Sequence, residues 1–296
     1  MKAKLALALA AVGVGLGTSV TAGSALVTGG HHQKAACGTA TNPPASYRHV
    51  VWIVMENKQY DQVIGSADAP YINALAGQCG LATNFDAEAH PSLPNYVAMT
   101  SGSTQGITDD KTPAVHPLTA ASIFSQLGTG NWRALEESMP SDCALADSGD
   151  YVVHHNPAAY YTTIRPDCQT QDVPLGRQPD ISARFTFITP NNCHNMHSCP
   201  VSSGDAWLSS FLPQILTSRT YTSGDTAIFL TWDEAKKSAA TNHIPTIVIA
   251  PSIPTGTQSA TAFTHYSMLR TTEELLGLPL LGNATTASSM RPGFHL

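Results

Sequence analysis

The segment HPSLPNY, His90 to Tyr96, sets a serine between two prolines, behind a strand-like run and ahead of the helical pattern VAMTSG. A serine that opens a helix stands where unpaired N–H groups and the positive end of the dipole attract an anion. A hydroxyl at that point is placed to attack a phosphoryl group. Ser92 could equally be an ordinary N-cap, a role serine favours. Three further pairs could carry chemistry. Glu56 and Asn57 follow HVVWIVM, Asp233 and Glu234 follow TAIFLTW, and His194 and His197 lie in PNNCHNMHSC behind RFTFIT. Carboxylates and an amide beside a serine suit a hard or borderline divalent cation next to an oxygen nucleophile. Each pair also has an ordinary reading: a loop or cap for Glu56-Asn57, a helix cap for Asp233-Glu234, and spectators of a small disulfide loop for the histidines.

These positions gain weight from the strands ahead of them, because ligands of open α/β sheets bind beyond the carboxyl ends of the strands. Four segments read as buried strands, apolar on both faces: HVVWIVM (49–55), RFTFIT (184–189), TAIFLT (226–231) and PTIVIA (245–250). Continuous runs of this kind suit a parallel sheet covered on both sides. LATNF (81–85) and WRALEE (132–137) are shorter candidates. Helical patterns fall between them. One starts at Ser92 with Pro94 tolerated in its first turn, and one runs from a Thr119 cap to Gly128. Another starts from an Asp205 N-cap and is kinked at Pro213, and the last, THYSMLRTTEELLG, ends at Gly277. Strands alternating with helices predict a three-layer α/β/α sandwich with a mostly parallel central sheet. Four strands would then bring acids, amides, histidines and a serine to one edge.

The chain opens with two lysines, an apolar run and small residues, the pattern of a secretory signal peptide with cleavage near Ala25. Residues 26–45, with the His31-His32 pair, read as a loose mature N-terminus, and 46–296 as one domain. Losing Lys2 and Lys4 from 15 basic residues leaves 13 against 21 acids, a formal charge of −8. No run of Lys or Arg appears, so nucleic acid and anionic membrane are not expected partners. A secreted monomer with no membrane anchor after signal cleavage is expected. Six cysteines in an exported chain imply disulfides with 15 possible pairings, of which proximity favours Cys193–Cys199, Cys143–Cys168 and Cys37–Cys79.

No G-x-S-x-G, H-E-x-x-H, Walker A or G-x-G-x-x-G pattern occurs in the mature chain. Instead VVWIVMENKQYDQVIG, HPSLPNYVAMTSG, NNCHNMHSCPVSSGDAWL, TWDE, HIPTIVIAP and HYSMLRTTEELLGLPLLG resemble, in this order, the blocks of the bacterial phosphoesterase family. That family holds secreted acid phosphatases and phospholipases C within the alkaline-phosphatase-like superfamily. The resemblance implies Ser92 of PSLPN as nucleophile and Glu56, Asn57, Asp233, Glu234 and the Ser92 oxygen as ligands of one divalent ion, calcium, zinc or magnesium. It implies His197 as proton donor and His155, in HHNPAAYY, as a contact to the phosphoryl group. His90 matches no role. The implied substrate is a small-molecule or lipid phosphate ester. The chain lacks the long insertions of the phospholipase members, which favours a phosphomonoesterase over a phospholipase C or another phosphodiesterase. A secreted binding module that kept the fold and lost the chemistry is the remaining reading.

Overall fold

The computed structural model describes residues 35–296. The expected signal peptide and the His31-His32 pair lie outside the described residues. From residue 35 the stretch expected to be loose is tied down. Ala36 and Cys37 are buried, Cys37 is bonded to Cys79, and the N–H groups of Thr39 and Ala40 both donate to Pro251 O. The other two bridges are Cys143–Cys168 and Cys193–Cys199, the pairings that proximity favours.

The centre is β1 (His49–Met55), the HVVWIVM run, in which every residue after His49 is buried. On one side it pairs in parallel with β6 (Phe185–Thr189), followed by β4 (Trp132–Glu136) and β5 (Asp172–Pro174). On the other it pairs in parallel with β7 (Thr226–Trp232). Beyond β7 come β8 (Thr246–Ile249), β2 (Gly80–Ala82) and β9 (Gln258–Ser259), completing an eight-stranded sheet. β8 runs antiparallel to both neighbours. An apolar run buried on both faces has the same composition in either direction, so direction was not readable from PTIVIA. LATNF divides in two. Its first part is β2, and its end enters β3 (Phe85–Asp86), which pairs with β10 (Phe263–Thr264) in a separate ribbon.

Helices cover both faces of the sheet. The Ser92–Ser101 helix starts where the sequence places it, and all ten of its residues are buried. It ends at Gly102, whose φ of 75° is left-handed and whose added Cβ would stand 2.2 Å from Leu281 O, so only glycine fits there. The Thr119 cap is displaced. Leu118 is held in extended backbone by Tyr160 and Thr162, and Ser122 instead caps the Ile123–Leu127 helix through its hydroxyl. Asp205 is not an N-cap of its own helix, which runs from Val201 to Leu216 with Pro200 before it. Its buried carboxylate accepts from Tyr71 N (3.2 Å) and Ile72 N (2.8 Å), the free donors at the start of the Pro70–Gln78 helix. An acid caps a helix here, but a different helix.

Candidate active site

β1 and β7 are neighbours in register, Met55 opposite Trp232, and Asp233 N donates to Met55 O at 2.9 Å. Glu56 and Asp233 therefore leave adjacent strands at the same level. Asn57 follows with a left-handed φ of 52°, a conformation that asparagine tolerates. Its backbone N–H donates to Asp233 Oδ1 at 3.0 Å, and its Nδ2 donates to Glu56 Oε2 at 2.6 Å. The same Nδ2 is 3.5 Å from Ser92 Oγ, and that hydroxyl donates to Glu56 Oε2 at 3.3 Å. One turn along the helix from Ser92, Tyr96 OH donates to Glu56 Oε1 at 2.6 Å. His155 Nε2 lies 3.2 Å from that oxygen without the alignment of a hydrogen bond. Glu56, Asn57, Ser92, Asp233 and His155 are thus one cluster.

Two acids of this cluster, Glu56 and Asp233, and the adjoining Glu234 are buried, which disfavours their charged forms. Burial, then the Asp233 charge, raises Glu56 well above the carboxylate range. Burial pushes Asp233 up to about 7, and burial with the Asp233 and Asp110 charges pushes Glu234, the next residue along the chain, up to about 9. Asp233 Oδ2 is buried with no hydrogen-bond partner. Among the described residues, no three His, Cys, Asp or Glu side chains close around a point as a preformed cage. The donor set here is mixed instead, carboxylate oxygens with an amide and a hydroxyl, which are the hard oxygen ligands of a divalent cation. An orphaned carboxylate oxygen among mutually repelling buried acids fits such an ion.

The remaining histidines separate by position. His90, unmatched in the sequence, shares a hydrogen bond between its Nδ1 and Glu234 Oε2 at 2.5 Å and so orients that acid. His197 is exposed on the Cys193–Cys199 loop, its ring 5.9 Å from that of His155. His194 on the same loop turns away, to both carboxylate oxygens of Glu137 at 2.9–3.0 Å. The helix mouth also differs from expectation. Leu93 N donates to Asp110 Oδ1 at 2.9 Å and Pro94 has no N–H, so the first turn has few donors to offer an anion.

Several supporting residues were not foreseen. Asn95 clamps the approach to Ser92, accepting from Glu88 N and Ala89 N and donating to Ala89 O and Pro91 O. His265, its pKa lowered to about 4 by burial, donates from Nε2 to Asp233 O at 2.7 Å. Lys58 Nζ donates to Met196 O at 2.5 Å, tying the histidine loop to the residue after Asn57. Tyr96 alone carried a usable signal, since four residues past Ser92 is the same helix face.

A second buried acid pair lies beside the site, on β4 and β5. Glu136 Oε1 accepts from Thr189 Oγ1 at 3.2 Å, and that hydroxyl is also 3.2 Å from His155 O. Asp172 Oδ1 accepts from Asn156 Nδ2 at 2.8 Å. Burial pushes Asp172 up to about 7, and burial with the Asp172 charge raises Glu136 well above the usual range. A carboxyl whose pKa rises on folding stabilises the fold fully below its unfolded value, about pH 4. That contribution is lost as pH climbs through the folded value. The chain is expected to melt at a higher temperature at about pH 5 than at about pH 8, with Asp172 supplying at most about 3 kcal/mol of the difference. In Asp172→Asn the melting-temperature curve should flatten over this window. Wild-type and variant curves that run parallel would refute it.

The fold has solved counterparts. The structure superposes on a protein of the alkaline phosphatase superfamily from Vibrio parahaemolyticus with a TM-score of 0.56, at 15% identity over 84% of this chain and 72% of that one. The profile of the Phosphoesterase family matches residues 66–279, and the chain belongs to that family. The match takes in Ser92, Asp233 and Glu234, while Glu56 and Asn57 precede it. The phosphatidylinositol-3-phosphatase of Mycobacterium tuberculosis is 30% identical over 258 residues, 84% of each chain. An acid phosphatase of Aspergillus fumigatus is 30% identical over 253 residues, 78% of this chain but 55% of that longer protein. This chain is a phosphoric ester hydrolase.

Proposed function

We propose that the chain is an exported phosphomonoesterase that works through a phosphoseryl intermediate on Ser92. The observation that carries this reading is the Ser92 hydroxyl, at the start of a buried helix, bonded to Glu56 Oε2 within a cluster of buried acids. Glu56, Asn57, Asp233, Glu234 and the Ser92 oxygen would hold one divalent ion, with calcium, zinc and magnesium all matching the donor types. When bound, such an ion supplies positive charge that lowers the pKa of a neighbouring hydroxyl and neutralises a phosphoryl oxygen.

The chain's own residues do the rest. Ser92 Oγ attacks phosphorus, forming the Ser92 O–P bond as the P–O bond to the alcohol breaks. Its proton passes to Oε2 of the ionised Glu56, the acceptor it already faces and one that burial makes more basic. Asn57 Nδ2 offers a donor to a phosphoryl oxygen, a task the blocked first turn of the helix leaves to it. His197, exposed and rechargeable from water, protonates the departing alcohol oxygen. His155 is buried and held neutral, its pKa well below the ordinary value, so it serves as a hydrogen-bonding contact to the phosphoryl group. Water then attacks phosphorus and gives a proton to His197, and the Ser92 O–P bond breaks as Glu56 returns the proton to Ser92 Oγ, releasing phosphate.

Both named relatives are phosphatases, which supports a monoester as substrate. The signal-peptide pattern and three disulfides support export. The purified chain should be assayed on an aryl phosphate, a phosphate diester and phosphatidylcholine, each with and without chelator. The monoester is expected to turn over fastest, and only without chelator. Ready release of diacylglycerol with monoesters untouched would establish a phospholipase C instead.

A further inference from the structure

The catalytic groups stand at the carboxyl ends of β1 and β7. On the opposite edge, where β1 and β6 begin, lies a cavity of about 660 Å³. Three of the chain's eight arginines line it, Arg48, Arg184 and Arg291, together with His49. They come from distant stretches, so no basic run marks them in the sequence. Each is anchored through one nitrogen: Arg184 Nη2 donates to Leu276 O at 2.5 Å and Arg291 Nε donates to Leu296 O at 3.3 Å. Arg48 Nε is 3.8 Å from Asp225. The other guanidinium N–H groups have no partner among the described residues.

The acid that lines the cavity, Glu274, is already engaged. Its Oε1 accepts from Arg270 Nε at 2.8 Å and its Oε2 from Ser289 Oγ at 2.6 Å. An acidic chain has thus gathered three planar cations about one space, of which Arg48 alone has a carboxylate within 4 Å among the described residues. Guanidinium forks pair two N–H groups with two oxygens of a phosphate, and several together suit more than one phosphate group. We propose that this cavity binds a multivalent phosphate-type anion, independently of the catalytic edge. A soluble oligophosphate and a surface of phosphate headgroups present the same chemistry.

The test is calorimetric titration of tripolyphosphate into the wild-type chain, Arg48→Gln and Arg184→Gln/Arg291→Gln at low and high salt. Affinity is expected to fall at least tenfold in the double variant and to weaken with salt in the wild type. Turnover of an aryl phosphate should stay unchanged in both variants. Arg48, with a side chain 74% exposed, can be replaced without disturbing packing, so its variant keeps the test decisive if the double variant melts early. Co-sedimentation with vesicles rich in a phosphatidic acid headgroup, through the same arginines, assigns the anion to a surface. Tripolyphosphate binding without co-sedimentation assigns it to solution. Equal affinity in wild type and variants would place all binding at the catalytic edge and overturn the proposal, as would the absence of salt-sensitive binding.

Discussion

Ser92→Ala is expected to give a folded chain whose turnover of an aryl phosphate is lower by several orders of magnitude, because covalent catalysis loses its acceptor. The structure sharpens the contrast with a capping role. The N-cap position of the helix is Pro91, and Ser92 is the first helical residue, with no capping hydrogen bond from its side chain. Its hydroxyl points instead to Glu56. A capping serine would cost about 1 kcal/mol on removal; here the melting temperature should barely move. Ser92→Thr keeps the oxygen, and some activity should survive. The added methyl must fit a site where Ser92 is 4% exposed and Leu93, Tyr96 and Val97 are fully buried, so the rate should fall below wild type. Turnover of both variants, with melts as a control for folding, decides the matter. A Ser92→Ala chain within about tenfold of wild type, a barrier change of only ~1.4 kcal/mol, would return the serine to structure.

Asp233→Asn should abolish both activity and a bound ion. The substitution keeps an acceptor for the Asn57 N–H but replaces one carboxylate oxygen by a donor within a buried cluster. The Asp233 charge raises both Glu56 and Glu234, so the lost charge is one that a bound cation would offset. Metal analysis is expected to find one divalent ion per wild-type chain and none in the variant. An ion that binds only the folded state also raises its melting temperature. Chelator should therefore lower the melting temperature of the wild type and leave that of the variant unchanged. An active chain shown to be free of metal would count decisively against this assignment.

The strands and the order of chemistry-bearing loops were legible because both depend on short stretches. A run such as TAIFLT announces a buried strand, and the residues directly after it must stand at the strand's end. Contacts that depend on long-range packing left no local trace. Asp110 reaches Leu93 N from another loop, and no spacing or pattern marks it. His194 and His197 are three residues apart in one disulfide loop, yet one turns to Glu137 and the other lies near His155. Periodicity does not tell such neighbours apart. Asp205 looked like a cap because aspartate favours that role, and it does cap, across space rather than along its own chain. The arginine cavity was invisible for the same reason: its walls come from four separate parts of the chain.

The pairing of β1 with β7 sets the distance between Glu56 and Asp233 through main-chain hydrogen bonds, not through the loops beyond them. Spacing of the two acids is in that sense a property of the scaffold. The loop proposed to meet the departing alcohol, the one carrying His197, is borne on β6 instead. Geometry at phosphorus and choice of alcohol are therefore built on separable pieces of chain. Loops exchanged between this chain and a relative of different length should alter which ester is accepted while the separation of the acids, and with it the bond that is broken, stays the same.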